Sequence, residues 1–216
     1  MRYLVLGLSI FLPLHLFVEA GSIGKEVVIS RLKNIYETVR SVASRNEEVI
    51  NERNELRLLI NDIIIRVDQF GGEFPSQYVL SLDRIGSASR KLADTTAAAQ
   101  IEILQGITRD LSIKFKDRSN TLSSRLFNDL LSVTVVCKRQ GTAVPNLRVR
   151  YAALGYAQDP NNPDGSFQVL TSPAKEQMVP GYYLIWLTKD GSFTMLRSWK
   201  GEISPDKINT IQFDLP

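Results

Sequence analysis

The chain has 216 residues, is 44% hydrophobic and 23% charged, and carries a net charge of +3, room for one or two domains with ordinary cores. The charge excess is small and spread along the sequence, so no nucleic-acid footprint is expected. One histidine and one cysteine exclude the common His/Cys zinc sites and leave Ser-His-Asp or Cys-His catalysis dependent on a single imidazole.

The N-terminus reads as a signal peptide over residues 1–20. Arg2 supplies a positive start, an apolar run extends from Leu4 to Val18, and small residues at Val18 and Ala20 have the spacing of a cleavage site. The run is short for a membrane span and contains Pro13 and His15. Cleavage after Ala20 is expected, with a retained anchor as the alternative. The mature protein is then secreted or periplasmic, with no membrane span. Cleavage also removes His15, the one imidazole, so the expectation is a non-enzymatic protein with no catalytic residues, no metal and no cofactor.

From Val28 the apolar positions step by three and four through Leu32, Ile35, Val39, Val42, Val49, Leu56, Ile60, Ile63, Val67 and Phe70. Asn46 and Arg53 occupy the two polar places in this heptad series. The pattern predicts one helix over about 25–70, roughly 65–70 Å long, with coiled-coil contacts. Asn46 and Arg53 either fix its register or sit where the partner helix leaves room. Gly71, Gly72 and Pro75 in "GGEFPSQ" (71–77) then end the helix and permit a reversal. A second helix is predicted over 78 to about 129, with Leu82, Ile85, Ser89 and Leu92 opening its seam and Leu104, Leu111, Phe115 and Leu122 continuing the stripe. The two make an antiparallel helical hairpin over 25–130.

Within the first helix Leu58 and Ile65 fall at the outermost heptad position, with Leu59 and Ile64 flanking them. Exposed apolar stripes mark interfaces. Leu58 and Ile65 are therefore expected to mediate self-association or docking of a protein partner; the alternative is a hairpin bent over its own C-terminal domain. "KFKDR" (114–118), the densest basic run, reads as a solvated helix face.

At residue 131 the period switches to two. Leu131, Val133, Val135 and Cys137 alternate, "RQGTAVPN" turns the chain, and Leu147, Val149 and Tyr151 alternate again. Further strands are predicted at 167–170, 182–189, 193–199 and 208–215, giving an antiparallel β-sandwich over 131–216 and an α+β multidomain chain. Cys137 shares its face with two valines and is expected in the core, an intermolecular disulfide being the alternative. "QDPNNPDG" (158–165) has turn chemistry rather than calcium-loop spacing. Arg148 and Arg150 share the face opposite Val149, either as the solvent side of the sheet or as an anion site.

"MVPGYYLIWLTKDGSF" (178–193) is bounded by Pro-Gly and Asp-Gly turns. It predicts a strand apolar on both faces, with Tyr182, Leu184 and Trp186 on one and Tyr183, Ile185 and Leu187 on the other. Its aromatics are expected in the core rather than on a ligand platform. The face of Tyr183, Ile185 and Leu187 requires a cover, either the helical hairpin or a partner.

The order of these features resembles the carboxypeptidase regulatory-like, or transthyretin-like, β-sandwich module. The resemblance is carried by Val144, Pro145 and Val149, by Asp164, Gly165 and Phe167, and by Pro180, Gly181 and Tyr182. It covers residues 131–216 and implies a non-catalytic accessory module of exported proteins, with no catalytic residues to transfer. A hairpin with a β-domain is also similar to periplasmic adaptor subunits of efflux systems, whose hairpin is inserted between two halves of a β-domain. The expected function is structural: an exported interaction protein whose hairpin sets assembly. The alternative is a carbohydrate or small-ligand binding module.

Overall fold

The computed structural model describes residues 21–116, 130–154, 163, 165–169 and 172–216. The signal-peptide segment with His15, the second helix's expected extension to 129, and most of "QDPNNPDG" lie outside the described residues. Among the described residues the architecture is mixed, with four α-helices first and the larger sheets after them, in agreement with an α+β chain.

The helical half departs from the single long helix expected over 25–70. Helix α1 (Lys25–Arg40) and helix α2 (Glu47–Gln69) are separate and pack against each other. With 16 and 23 residues they are about 24 and 35 Å long, roughly a third and a half of the expected span. The break falls where side chains compete with the helix for backbone groups. Ser41 Oγ donates to Thr38 O, Ser44 Oγ accepts from Asn46 N–H, and Asn46 Oδ1 accepts from Val49 N–H as the N-cap of α2. Asn46 is therefore a cap, not a polar seam residue. Arg53 reaches back to donate to Val42 O at 2.7 Å, closing the same turn. The heptad series runs through the break undisturbed because Val42 and Val49 are both buried, one on each arm of the turn.

Helix α3 (Gln77–Arg90), a 3-10 turn over Lys91–Asp94 and helix α4 (Ala97–Lys114) repeat this plan, with Thr96 Oγ1 capping α4 by accepting from Ala99 N–H. The short strands β1 (Ser22–Ile23) and β2 (Phe74–Pro75) pair just ahead of α1 and α3. These two helices thus start together and run side by side in the same direction, bridged by Arg31–Asp83 at 2.7 Å. α2 lies beside α4, tied by Gln105 Nε2 to Glu52 at 2.7 Å and by Arg66 Nη1 to Phe115 O at 2.7 Å. Two short hairpins side by side replace the one long hairpin. The Gly71–Pro75 reversal is not a distant tip; it lies at the end of the bundle that meets the sheets, where Phe70, Phe74, Tyr78 and Phe115 stack edge to face.

Beyond Leu131 two four-stranded sheets form. One is built on β3 (Leu131–Arg139), with β10 (Thr210–Leu215) on one side and β7 (Ala174–Met178) and β4 (Thr142–Ala143) on the other. The second has the order β6 (Gly165–Val169), β5 (Leu147–Ala153), β8 (Gly181–Lys189), β9 (Met195–Ile203). β10 runs parallel to β3, against the all-antiparallel expectation, because the chain crosses from β9 in one sheet to the far sheet. Strand β7 escapes the periodicity: "AKEQM" is a polar edge whose outward residues are Lys175 and Gln177. Val133, Val135, Cys137, Val149, Ile185 and Phe213 belong to the same buried cluster as Leu32, Ile60 and Leu104 of the helices, each such side chain contributing about 1.5–3 kcal/mol.

Replacing Asn46 by alanine removes the α2 cap and is expected to lower stability by about 0.5–2 kcal/mol, read from the urea midpoint at constant slope. Cys137 is fully buried, and burial pushes its thiol up to about 11. An acid whose folded pKa is raised ionises first in the unfolded chain, so Cys137 leaves stability untouched at neutral pH and lowers it as pH rises above the unfolded thiol value of about 8.5. The thiol is expected to resist alkylation at pH 8 in the native protein and to react fully in denaturant. Rapid native labelling, or a disulfide-linked dimer on a non-reducing gel, would contradict its place in the core.

Candidate functional site

Two surfaces merit a functional reading: the seam where α4 meets β8, and the outer face of α2. At the seam, α4 packs on the first residues of β8 through two charged side chains, both fully buried. Asp110 Oδ1 accepts from Tyr182 N–H at 2.8 Å. Lys114 Nζ donates to Pro180 O at 2.7 Å and lies 3.4 Å from Asp110 Oδ2. Burial pulls the Lys114 ammonium below its ordinary pKa, with the Asp110 charge opposing that shift. The arrangement depends on Gly181: a Cβ there would stand 2.5 Å from Asp110 Oδ1 and 3.2 Å from Lys114 Nζ. Arg109 covers the Tyr182 ring at 4.7 Å, so one turn of α4 grips both ends of the Pro180–Tyr182 segment.

Nothing in the local pattern marks this pair. Asp110 and Lys114, four apart on a helix, look like a surface ion pair, and Lys114 opens the run expected to be solvated. The structure corrects that expectation for Lys114, because the facing backbone carbonyl of Pro180 and the missing side chain at Gly181 make room for a buried ammonium. The only visible hint is the Pro-Gly turn itself.

Beside the seam a cleft of about 180 Å³ opens between α3 and the sheets, lined by Ser81, Arg84, Tyr151, Met178 and Tyr183 among others. Tyr183 donates its hydroxyl to Val179 O at 2.8 Å, and burial raises its pKa well above the ordinary value. Among the described residues, no group of three His, Cys, Asp or Glu is placed to hold a metal ion, and no helix is long and apolar enough to cross a membrane.

The residues singled out in β8 lie inside. Tyr183 is 4% exposed, and Ile185 and Leu187 are fully buried in the common core. Their cover comes from this chain, which removes them from any surface offered to a partner. Trp186, on the opposite face, is also fully buried, with no hydrogen-bond partner for its Nε1. Arg150 is buried under Phe193, with its guanidinium 4.2 Å from the ring and Nε donating to Thr188 Oγ1 at 3.3 Å. Arg148 binds Asp190 Oδ1 through Nε and Nη2 at 3.1 and 3.0 Å. Arg148 thus lies on the solvent side of the second sheet, as one of the two expected readings has it, whereas Arg150 is buried, and both are engaged by groups of this chain.

Leu58 and Ile65 stand apart from all of these. They are 71% and 57% exposed, one heptad apart on α2, while Leu56, Ile60 and Ile63 on the same helix are fully buried. Leu59 and Ile64 are partly buried and pack against the core.

Replacing Asp110 alone by alanine leaves Lys114 as an unpaired buried charge and is expected to destabilise by about 3–5 kcal/mol. Replacing both Asp110 by leucine and Lys114 by methionine is expected to restore a substantial part of that loss. A double variant no more stable than Asp110→Ala would show that the hydrogen bonds to Pro180 and Tyr182, not the charge balance, hold the seam.

Comparison of the chain with protein-family models, with curated proteins and with solved structures finds no match in any of the three.

Proposed function

We propose that this is an exported, non-enzymatic interaction protein whose helical half docks a protein partner while its two sheets serve as an accessory β-sandwich module. The observation that carries the reading is the exposure of Leu58 and Ile65 on a helix whose inner face is completely packed. Two aliphatic side chains left in water on the same ridge cost solubility and add nothing to the core, which favours a role in contact. Export rests on the leader-like residues 1–20, and the accessory role rests on the likeness of residues 131–216 to the carboxypeptidase regulatory-like group. A carbohydrate site built on aromatics gains little support, because Trp186 and Tyr183 are in the interior.

The test is a photoreactive residue placed in turn at 58, 65 and 208. Ile208 is 92% exposed on the loop before β10 and serves as the apolar control. Discrete crosslinked adducts are expected from 58 and 65 in cells and not from 208. Adducts equally strong at 208, or none at 58 and 65, would remove the α2 face from the proposal. The double substitution Leu58→Glu/Ile65→Glu is expected to abolish those contacts while shifting stability by no more than about 0.5 kcal/mol, since both sites are solvated.

A further inference from the structure

The outer face of α2 has a charge pattern as distinctive as its two aliphatic residues. Of the α2 residues that face solvent, five are carboxylates (Glu47, Glu48, Glu55, Asp62 and Asp68), two are Leu58 and Ile65, and the rest are Asn or Gln. None is Lys or Arg. Asp62 pairs with Arg66 at 2.8 Å and Asp68 with Lys25 at 3.4 Å, while Glu47, Glu48 and Glu55 make no ion pair among the described residues. The face is thus acidic on a chain whose net charge is +3. With a screening length of about 8–10 Å at physiological salt, a docking partner senses this local charge and not the distant excess.

Two occupants fit an apolar ridge of this kind: a second copy of the chain, or a different partner. In a two-fold pairing of α2 on α2, the same patch faces itself, so its carboxylates are set against the acidic face of the second copy. Like charges brought together at an interface cost affinity, and the nearby cation Arg66 is already paired with Asp62 at 2.8 Å. Leu58 and Ile65 are two helical turns apart, about 10.5 Å along the axis. That spacing matches the i and i+7 anchors of an amphipathic helix laid alongside, with Leu59 and Ile64 widening the apolar strip.

Building on the proposed docking role, we infer that the occupant of the α2 face is a cationic amphipathic helix of another protein. Its apolar residues pack on Leu58 and Ile65, and Lys or Arg on its flanks faces Glu48, Glu55 and Asp62. The aliphatic pair supplies attraction, and the carboxylates select the sign of the partner and exclude a second copy.

The experiment uses the full chain and two synthetic amphipathic peptides with identical leucine positions, one flanked by lysines and the other by glutamates, with binding followed by fluorescence anisotropy. The lysine peptide is expected to bind at least about tenfold more tightly than the glutamate peptide, and to weaken as salt rises. Leu58→Ser/Ile65→Ser is expected to remove most of its binding. Glu48→Gln/Glu55→Gln/Asp62→Asn is expected to bring the two peptides close to equal affinity. Equal binding of both peptides to the native chain, lost on Leu58→Ser/Ile65→Ser, would overturn the cationic partner and leave the docking role standing. Binding of the lysine peptide unaffected by either set of substitutions would place it elsewhere and overturn the inference. If neither peptide binds and light scattering shows a dimer that Leu58→Ser/Ile65→Ser dissociates, the occupant is a second copy. If neither binds and the chain is monomeric, both the inference and the docking role fall.

Discussion

The contact on which the arrangement turns is the buried pair of Asp110 and Lys114 against the backbone of Pro180–Tyr182. Burying two charges is costly, and their mutual attraction offsets that cost only when every remaining donor and acceptor is well placed. Here Lys114 has the Pro180 carbonyl, Asp110 Oδ1 has the Tyr182 amide, Gly181 between them lets the backbone approach, and Asp110 Oδ2 has the Lys114 ammonium at 3.4 Å but no hydrogen bond. A pair of this kind tolerates few other geometries. It therefore sets where α4 lies on β8 more narrowly than apolar packing alone would.

The consequences spread from α4. Arg66 of α2 donates to Phe115 O at the end of α4, and Gln105 of α4 donates to Glu52 of α2. With α4 seated on the sheet, α2 has one side committed to the core and the other turned to water. The aromatic group of Phe70, Phe74, Tyr78 and Phe115 closes the sheet end of the bundle. The ridge bearing Leu58 and Ile65 is thus presented by a helix fixed along its inner face, which reduces the ordering cost of docking.

Much of the helical core is legible in the sequence. Val28, Leu32, Ile35, Val39, Leu56, Ile60, Ile63 and Val67 follow the heptad and are all buried. The topology of the helices was not legible, because the turn after Arg40 uses serine and asparagine side chains in place of glycine or proline. Those side chains end a helix by competing for backbone groups, and their effect depends on whether an N-cap forms at Asn46. In the sheets, the alternation of Val133, Val135 and Cys137 identified a half-buried strand. Alternation carries no direction, so it left the parallel pairing of β10 with β3 open, and the polar edge strand β7 produced no signal at all.

The sequence by itself determined which residues are apolar at helical and strand spacing, and with that the division into a helical half and a stranded half. It also determined that Leu58 and Ile65 fall off the buried seam, since 3.6 residues per turn assign them to the outer face whatever the partner helix is. Only the tertiary structure decided that Lys114 is inside, that Tyr183, Ile185 and Leu187 are covered by their own chain, and that the arginines of α2 lie half-buried while its carboxylates face water. The reason is physical. Periodicity describes one element at a time, whereas the burial of a charge and the cover of a face depend on atoms that lie distant in sequence.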